Sequence, residues 1–119
     1  MDRHTLEHRT KKLHISIIDL CQLLPKNAAG FEIGKQIIRS AGSVGANYRA
    51  TKRAKSKADF IYKISIVLEE ADETHYWLEI IRDAHLIGPS EQLNELIKET
   101  NELVAIFSAV EKTSKEKYL

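Results

Sequence analysis

Cys21 is the lone cysteine in 119 residues, which excludes an internal disulfide and fits a reducing, cytoplasmic setting. Two prolines, five glycines and 7% aromatics leave little material for a turn-rich sandwich or barrel. No run approaches the roughly 20 apolar residues that a membrane span needs. The opening Met-Asp-Arg-His-Thr-Leu-Glu-His-Arg has no apolar signal region, so neither export nor a membrane is expected. No sign of charge dominates, because the net is +1. What the chain does have is 43% hydrophobic and 29% charged residues, enough to build and cover one core. Its length predicts a single domain over residues 1–119.

Apolar and small residues recur at spacings of three and four, which places each set on one face of a helix. The first stripe is Leu6, Thr10, Leu13, Ile17, Leu20 and Leu24; the second is Gly34, Ile37, Ala41, Val44, Tyr48 and Thr51. Phe60, Ile64, Val67, Ala71, Thr74, Leu78 and Ile81 form the third. Leu93, Leu96, Thr100, Leu103, Phe107 and Val110 form the fourth. No alternation of period two persists. Short connections make consecutive helices antiparallel neighbours. The expected fold is therefore all-α, an up-down-up-down antiparallel four-helix bundle about 30–40 Å long.

Local chemistry sets the expected boundaries. Pro25 disfavours helical geometry in Leu24, so helix one should stop there, with residues 25–30 as a loop and helix two starting near Phe31. Ser56 and Asp59 have the spacing of a capping box and separate helices two and three by a short turn near Lys55. Gly88-Pro89-Ser90-Glu91 supplies a helix end, a breaker, an N-cap and an acid for the next helix dipole. Helix three carries a second apolar edge of Ile61, Ile66, Trp77 and Ile80. A helix apolar beyond one face packs on more than its own bundle requires, so self-association is expected. Ile66, Glu73 and Trp77 are the expected interface residues.

The small net charge hides a segregation. Residues 31–63 hold eight bases against Glu32 and Asp59, and residues 64–102 hold ten acids against Arg82 and Lys98. Such asymmetry creates a polar field, unless the two segments neutralise each other within the fold. Arg39 is expected to lie opposite Asp72 or Glu73 in the hairpin of helices two and three. Arg49, Lys52, Arg53, Lys55 and Lys57 have no nearby acid in sequence except Asp59. With Tyr48 beside them as a stacking surface, they are the candidate contact for RNA or DNA phosphates. Several also suit the dipole at a helix C-terminus, which is the plainer explanation for them.

No cofactor, metal or catalytic set emerges. Gly42-Ser43-Val44-Gly45 resembles a phosphate-clamping turn but lacks a preceding strand and the lysine of a Walker loop. Ser40, Ala41, Gly42, Ser43, Gly45 and Ala46 are better explained as small residues that admit a close neighbouring helix. His4 and His8 lie one turn apart without a third ligand. Asp72 and His75 give one shortened half of a bundle di-iron motif, which requires two full pairs. Arg9 and His14 match the Arg-x4-His spacing of HEPN-type helical ribonucleases, yet a five-residue offset spreads them about 140° apart on a helix. Cys21 falls beside an apolar stripe and reads as a buried thiol, not a nucleophile.

The run from Gln36 through Arg39-Ser-Ala-Gly-Ser-Val-Gly-Ala-Asn47, then Ser56-Lys-Ala-Asp59-Phe60, Lys63 to Glu73-Thr, and Tyr76-Trp77-Leu78 resembles a known family. These are the four-helix-bundle proteins encoded in intervening sequences of bacterial 23S rRNA genes. The resemblance spans nearly the whole chain. It implies an up-down bundle, a ring-shaped homopentamer and no catalytic residues. A related branch, the accessory variability protein of diversity-generating retroelements, is a basic pentamer that works with a reverse transcriptase and nucleic acid. Family members often carry a glutamate shortly after the asparagine matched by Asn47; Tyr48-Arg49-Ala50-Thr51 has none, which makes the end of helix two more basic.

Overall fold

The computed structural model describes residues 1–117, which form α1 (Arg3–Cys21), α2 (Ala28–Ala50), α3 (Lys57–Asp83) and α4 (Glu91–Lys117), with a 3-10 turn at Thr51–Arg53 between α2 and α3. Each helix packs against its sequence neighbours, and α1 meets α4 along a looser seam. The result is an antiparallel four-helix bundle in up-down-up-down order, a rod of 47 × 22 × 21 Å.

Side-chain caps start all four helices. The Asp2 carboxylate accepts from the Thr5 amide, and the Asn27 side chain from that of Gly30. The Ser56 hydroxyl accepts from the Asp59 amide, and the Ser90 hydroxyl from that of Leu93. Asp59 reaches back to the amide of Lys55 and also grips Lys63 one turn ahead. Two boundaries differ from the expected ones. Helix α1 ends at Cys21, before Pro25 can act on it. Helix α2 begins three residues earlier than Phe31, because Asn27 supplies an N-cap from within the expected loop.

The end of α3 is a third difference. Gly88 does not form it; His85 does, with φ at 56°. The His85 amide donates to the Arg82 carbonyl and the Leu86 amide to the Ile81 carbonyl, the paired bonds of a Schellman motif. A side chain in this left-handed position costs about 1 kcal/mol relative to glycine. His85→Gly is therefore expected to raise stability by about 1 kcal/mol, read as a higher denaturation midpoint. An unchanged midpoint would mean that the imidazole returns the backbone cost through contacts of its own.

The core follows the four stripes. Leu13, Ile17 and Leu20 of α1 meet Ile37, Ala41 and Val44 of α2, Ile64, Val67 and Leu78 of α3, and Leu103 and Phe107 of α4, all of them sealed from solvent. Thr10, Ser40, Thr51, Thr74 and Thr100 are buried among them. Each hydroxyl oxygen lies within hydrogen-bond distance of a carbonyl of its own helix or the turn before it, which offsets the cost of burying it. Two of them also join helices, Thr74 to Ser40 at 2.8 Å and Thr100 to His75 at 2.7 Å.

Antiparallel packing gathers the start of α1, the α2–α3 turn and the end of α4 at one end of the rod. That end holds Arg3, Arg49, Lys52, Arg53, Lys55 and Lys57, joined by Lys112, Lys115 and Lys117 of α4, and these cations outnumber the carboxylates Asp2, Glu7, Asp59, Glu111 and Glu116 that share it. The carboxylates Glu69, Glu70, Asp72, Glu79, Glu91 and Glu95 lie along the middle and towards the opposite end.

Candidate nucleic-acid interface

A charge network ties this end together. The Arg3 guanidinium sits 5.0 Å above the Tyr48 ring and donates to the Thr51 hydroxyl at 2.8 Å. It also approaches the Glu7 carboxylate at 3.6 Å, and Lys52 meets the same oxygen at 3.1 Å. The Lys52 ammonium is the main reason that Glu7 is held below the usual carboxylate range. The first turn of α1 is thus bolted to the turn that ends α2, far away in sequence.

The predicted contact residues divide in this setting. Arg49, Arg53, Lys55 and Lys57 are exposed around the turn. Among the described residues, no carboxylate forms an ion pair with Arg49 or Arg53. Lys52 is exposed but shared with Glu7. Tyr48 is corrected outright: it is 5% exposed, packed against Phe107 with ring centroids 5.3 Å apart, and covered by Arg3. It has no open face for a base and serves as the floor beneath the cations.

Arg39 meets Glu73 of α3 as expected of a hairpin and also pairs with Glu70 at 3.0 Å, whereas Asp72 is turned away to solvent. Residues 70 and 73 share the α2-facing edge of α3, whereas 72 lies on its outer side. Glu73 also accepts from the Trp77 indole at 3.3 Å. Ile66, Glu73 and Trp77 therefore fall on one edge of α3, half-buried, with Tyr62 and Tyr76 exposed beside them and Tyr76 edge-on to Trp77.

The remaining chemical candidates separate. Arg9 faces α4, where it makes a two-pronged ion pair with Glu99 at 2.5 and 2.9 Å. His14 faces α2 on the other side of α1, its ring 3.0 Å from where a Cβ on Gly42 would stand. The ribonuclease-like pair does not converge within one chain. Burial pushes the Cys21 thiol up to about 11, which keeps it neutral and unreactive near pH 7. Among the described residues no group of three or more metal-ligating side chains comes together, and no helix is long and apolar enough to cross a membrane. The glycines of α2 act as close-packing residues: a Cβ on Gly45 would stand 3.4 Å from the Thr10 carbonyl oxygen of α1.

The sequence matches the model of the 23S rRNA-intervening sequence proteins over residues 5–109. The chain belongs to that family. Its fold agrees with the 1.70 Å crystal structure of a protein of unknown function from the S23 ribosomal protein family of Bacteroides thetaiotaomicron VPI-5482. The two share 33% identity and a TM-score of 0.83, over 94% of this chain and 99% of the other. No curated protein matches the sequence. As a member of the 23S rRNA-intervening sequence family, the chain has relatives described by gene location and by fold, so its chemistry rests on its own side chains.

Proposed function

We propose that this family member is a non-catalytic bundle that self-associates through α3 and contacts RNA or DNA phosphates through its basic end. One observation carries the reading. Exposed cations of the α2–α3 turn, Arg49, Arg53, Lys55 and Lys57, share an end of the rod with the α4 lysines. Phosphate contact is the use of such a patch that needs no further machinery. The edge of Ile66, Glu73 and Trp77, flanked by exposed Tyr62 and Tyr76, supports self-association, since aromatic residues anchor interfaces. The divergence of Arg9 from His14 and the neutral Cys21 thiol favour a non-catalytic role.

Light scattering with and without a mixed RNA oligonucleotide tests both halves. The expected result is a discrete mass near five chains, the stoichiometry that the family resemblance implies, rising with RNA at low salt. Roughly four phosphate contacts to a single strand would weaken binding about 50-fold between 50 and 200 mM salt. Arg53→Gln with Lys55→Gln should flatten the log–log salt slope by about 1.4. A multimer indifferent to RNA would overturn the phosphate role and leave a protein scaffold. A clean monomer would overturn the interface role of Ile66 and Trp77.

A further inference from the structure

The seam between α1 and α2 opens as a groove of about 610 Å³ that runs away from the α2–α3 turn. Gly42, Gly45 and Ala46 form its floor, so α2 presents little more than backbone there. His4, His8, Lys11 and His14 of α1 make one wall, spread over ~15 Å at the helical rise of 1.5 Å per residue. Arg49 and Lys52 stand on the other. The one carboxylate lining the groove, Glu7, is already held by Lys52 and Arg3. Asp2, next to the His4 end of α1, is occupied in capping that helix. The groove is thus a cationic channel whose own acid is paired, and His8 at its edge also lines the α1–α4 seam beside Arg9, Lys12, Glu95 and Glu99, of which Glu99 is held by Arg9. Most of its α1 wall is imidazole, the side chain whose charge changes between pH 5 and 8.

We propose that this groove binds a single strand of nucleic acid along its phosphates, and that His4, His8 and His14 tighten the binding as pH falls. The inference rests on the basic-end reading above and extends the contact from the turn along α1. A single strand fits because the channel is one helix–helix seam wide, whereas a duplex is a stiff cylinder that would touch only its rim. Imidazole rings also offer stacking surfaces to splayed bases, which a paired duplex keeps hidden.

The test is fluorescence anisotropy with a labelled 12-nucleotide oligouridylate at pH 8.0 and 5.5, at one ionic strength, against an unlabelled duplex competitor. The wild-type Kd should fall about tenfold or more on acidification, the size expected when newly charged imidazoles add charge-assisted hydrogen bonds to phosphate. His4 and His8 are exposed, so His4→Gln with His8→Gln leaves the core intact; its pH effect should shrink to about threefold or less. Ala46, also exposed, lies on the floor. Ala46→Glu should weaken binding about tenfold at both pH values by setting a carboxylate among the phosphates.

A strand held equally at both pH values, or a histidine variant that keeps the full pH effect, overturns the groove and leaves the basic end standing. Preference for the duplex overturns it likewise. No strand binding at either pH in low salt overturns both readings.

Discussion

Replacing Phe107 with alanine is expected to destabilise the bundle by about 4 kcal/mol, the range for emptying a fully enclosed aromatic site. Phe107 is 0% exposed and sits on α4, while the ring it touches, Tyr48, belongs to α2, diagonally across the core. The backbones of α2 and α4 make no close approach across the core, so neither helix can readily move in to fill the space. The melting temperature should drop by roughly 12–20 °C. Phe107→Leu, which keeps most of the volume, should cost about 1 kcal/mol. Urea denaturation checks both, with an unchanged m-value expected. A loss under about 1 kcal/mol for the alanine variant would show that the core collapses onto the site. The variant also removes the support beneath Tyr48 and Arg3, so the affinity for RNA proposed for the basic end should fall with it.

Gly30→Ala is expected to cost about 3 kcal/mol, although alanine is the better helix former. A Cβ on Gly30 would stand 1.8 Å from the Pro25 carbonyl oxygen, and that obstacle is backbone. The 25–27 loop would have to move, taking with it the Asn27 cap, whose hydrogen bond comes from this same Gly30 amide. Gly34→Ala, one turn along, meets only the flexible tip of Leu24 at 3.4 Å. There the propensity gain should prevail, raising stability by up to about 1 kcal/mol. Opposite signs for two identical substitutions one helical turn apart are the decisive outcome, read by thermal melts. Equal signs would mean that the loop yields freely.

The helical stripes were legible because burial follows the 3.6-residue period. Of the residues marked from spacing, only the ends of the sets, Leu24, Phe60 and Val110, are left half-exposed. Capping chemistry was legible where a motif is compact, as at Ser56 and Ser90. It failed at Asn27, where Pro25 and Gly30 signal a loop and the cap is hidden inside it. It failed again at His85, because nothing in a sequence marks a histidine that takes the place usual for glycine. The basic residues of the α2–α3 turn were visible as a run. Glu7, the partner of Lys52, and the histidine wall were not, since only tertiary packing brings residues 4–14 beside residues 42–52. The same packing buries Tyr48, whose position beside the basic run suggests an exposed ring.

The segregated ends give the formal charge of +1 a particular meaning. In physiological salt a charge is felt over only about 8 Å, far less than the 47 Å length of the rod. A partner at one end therefore meets an excess of cations, and a partner at the flank or far end an excess of anions, with neither sensing the sum. Chromatographic retention would then follow whichever face meets the resin, and a near-neutral chain should be held by both cation and anion exchangers. Only in nearly salt-free water, where the range grows to about 30 Å, do the two halves begin to cancel.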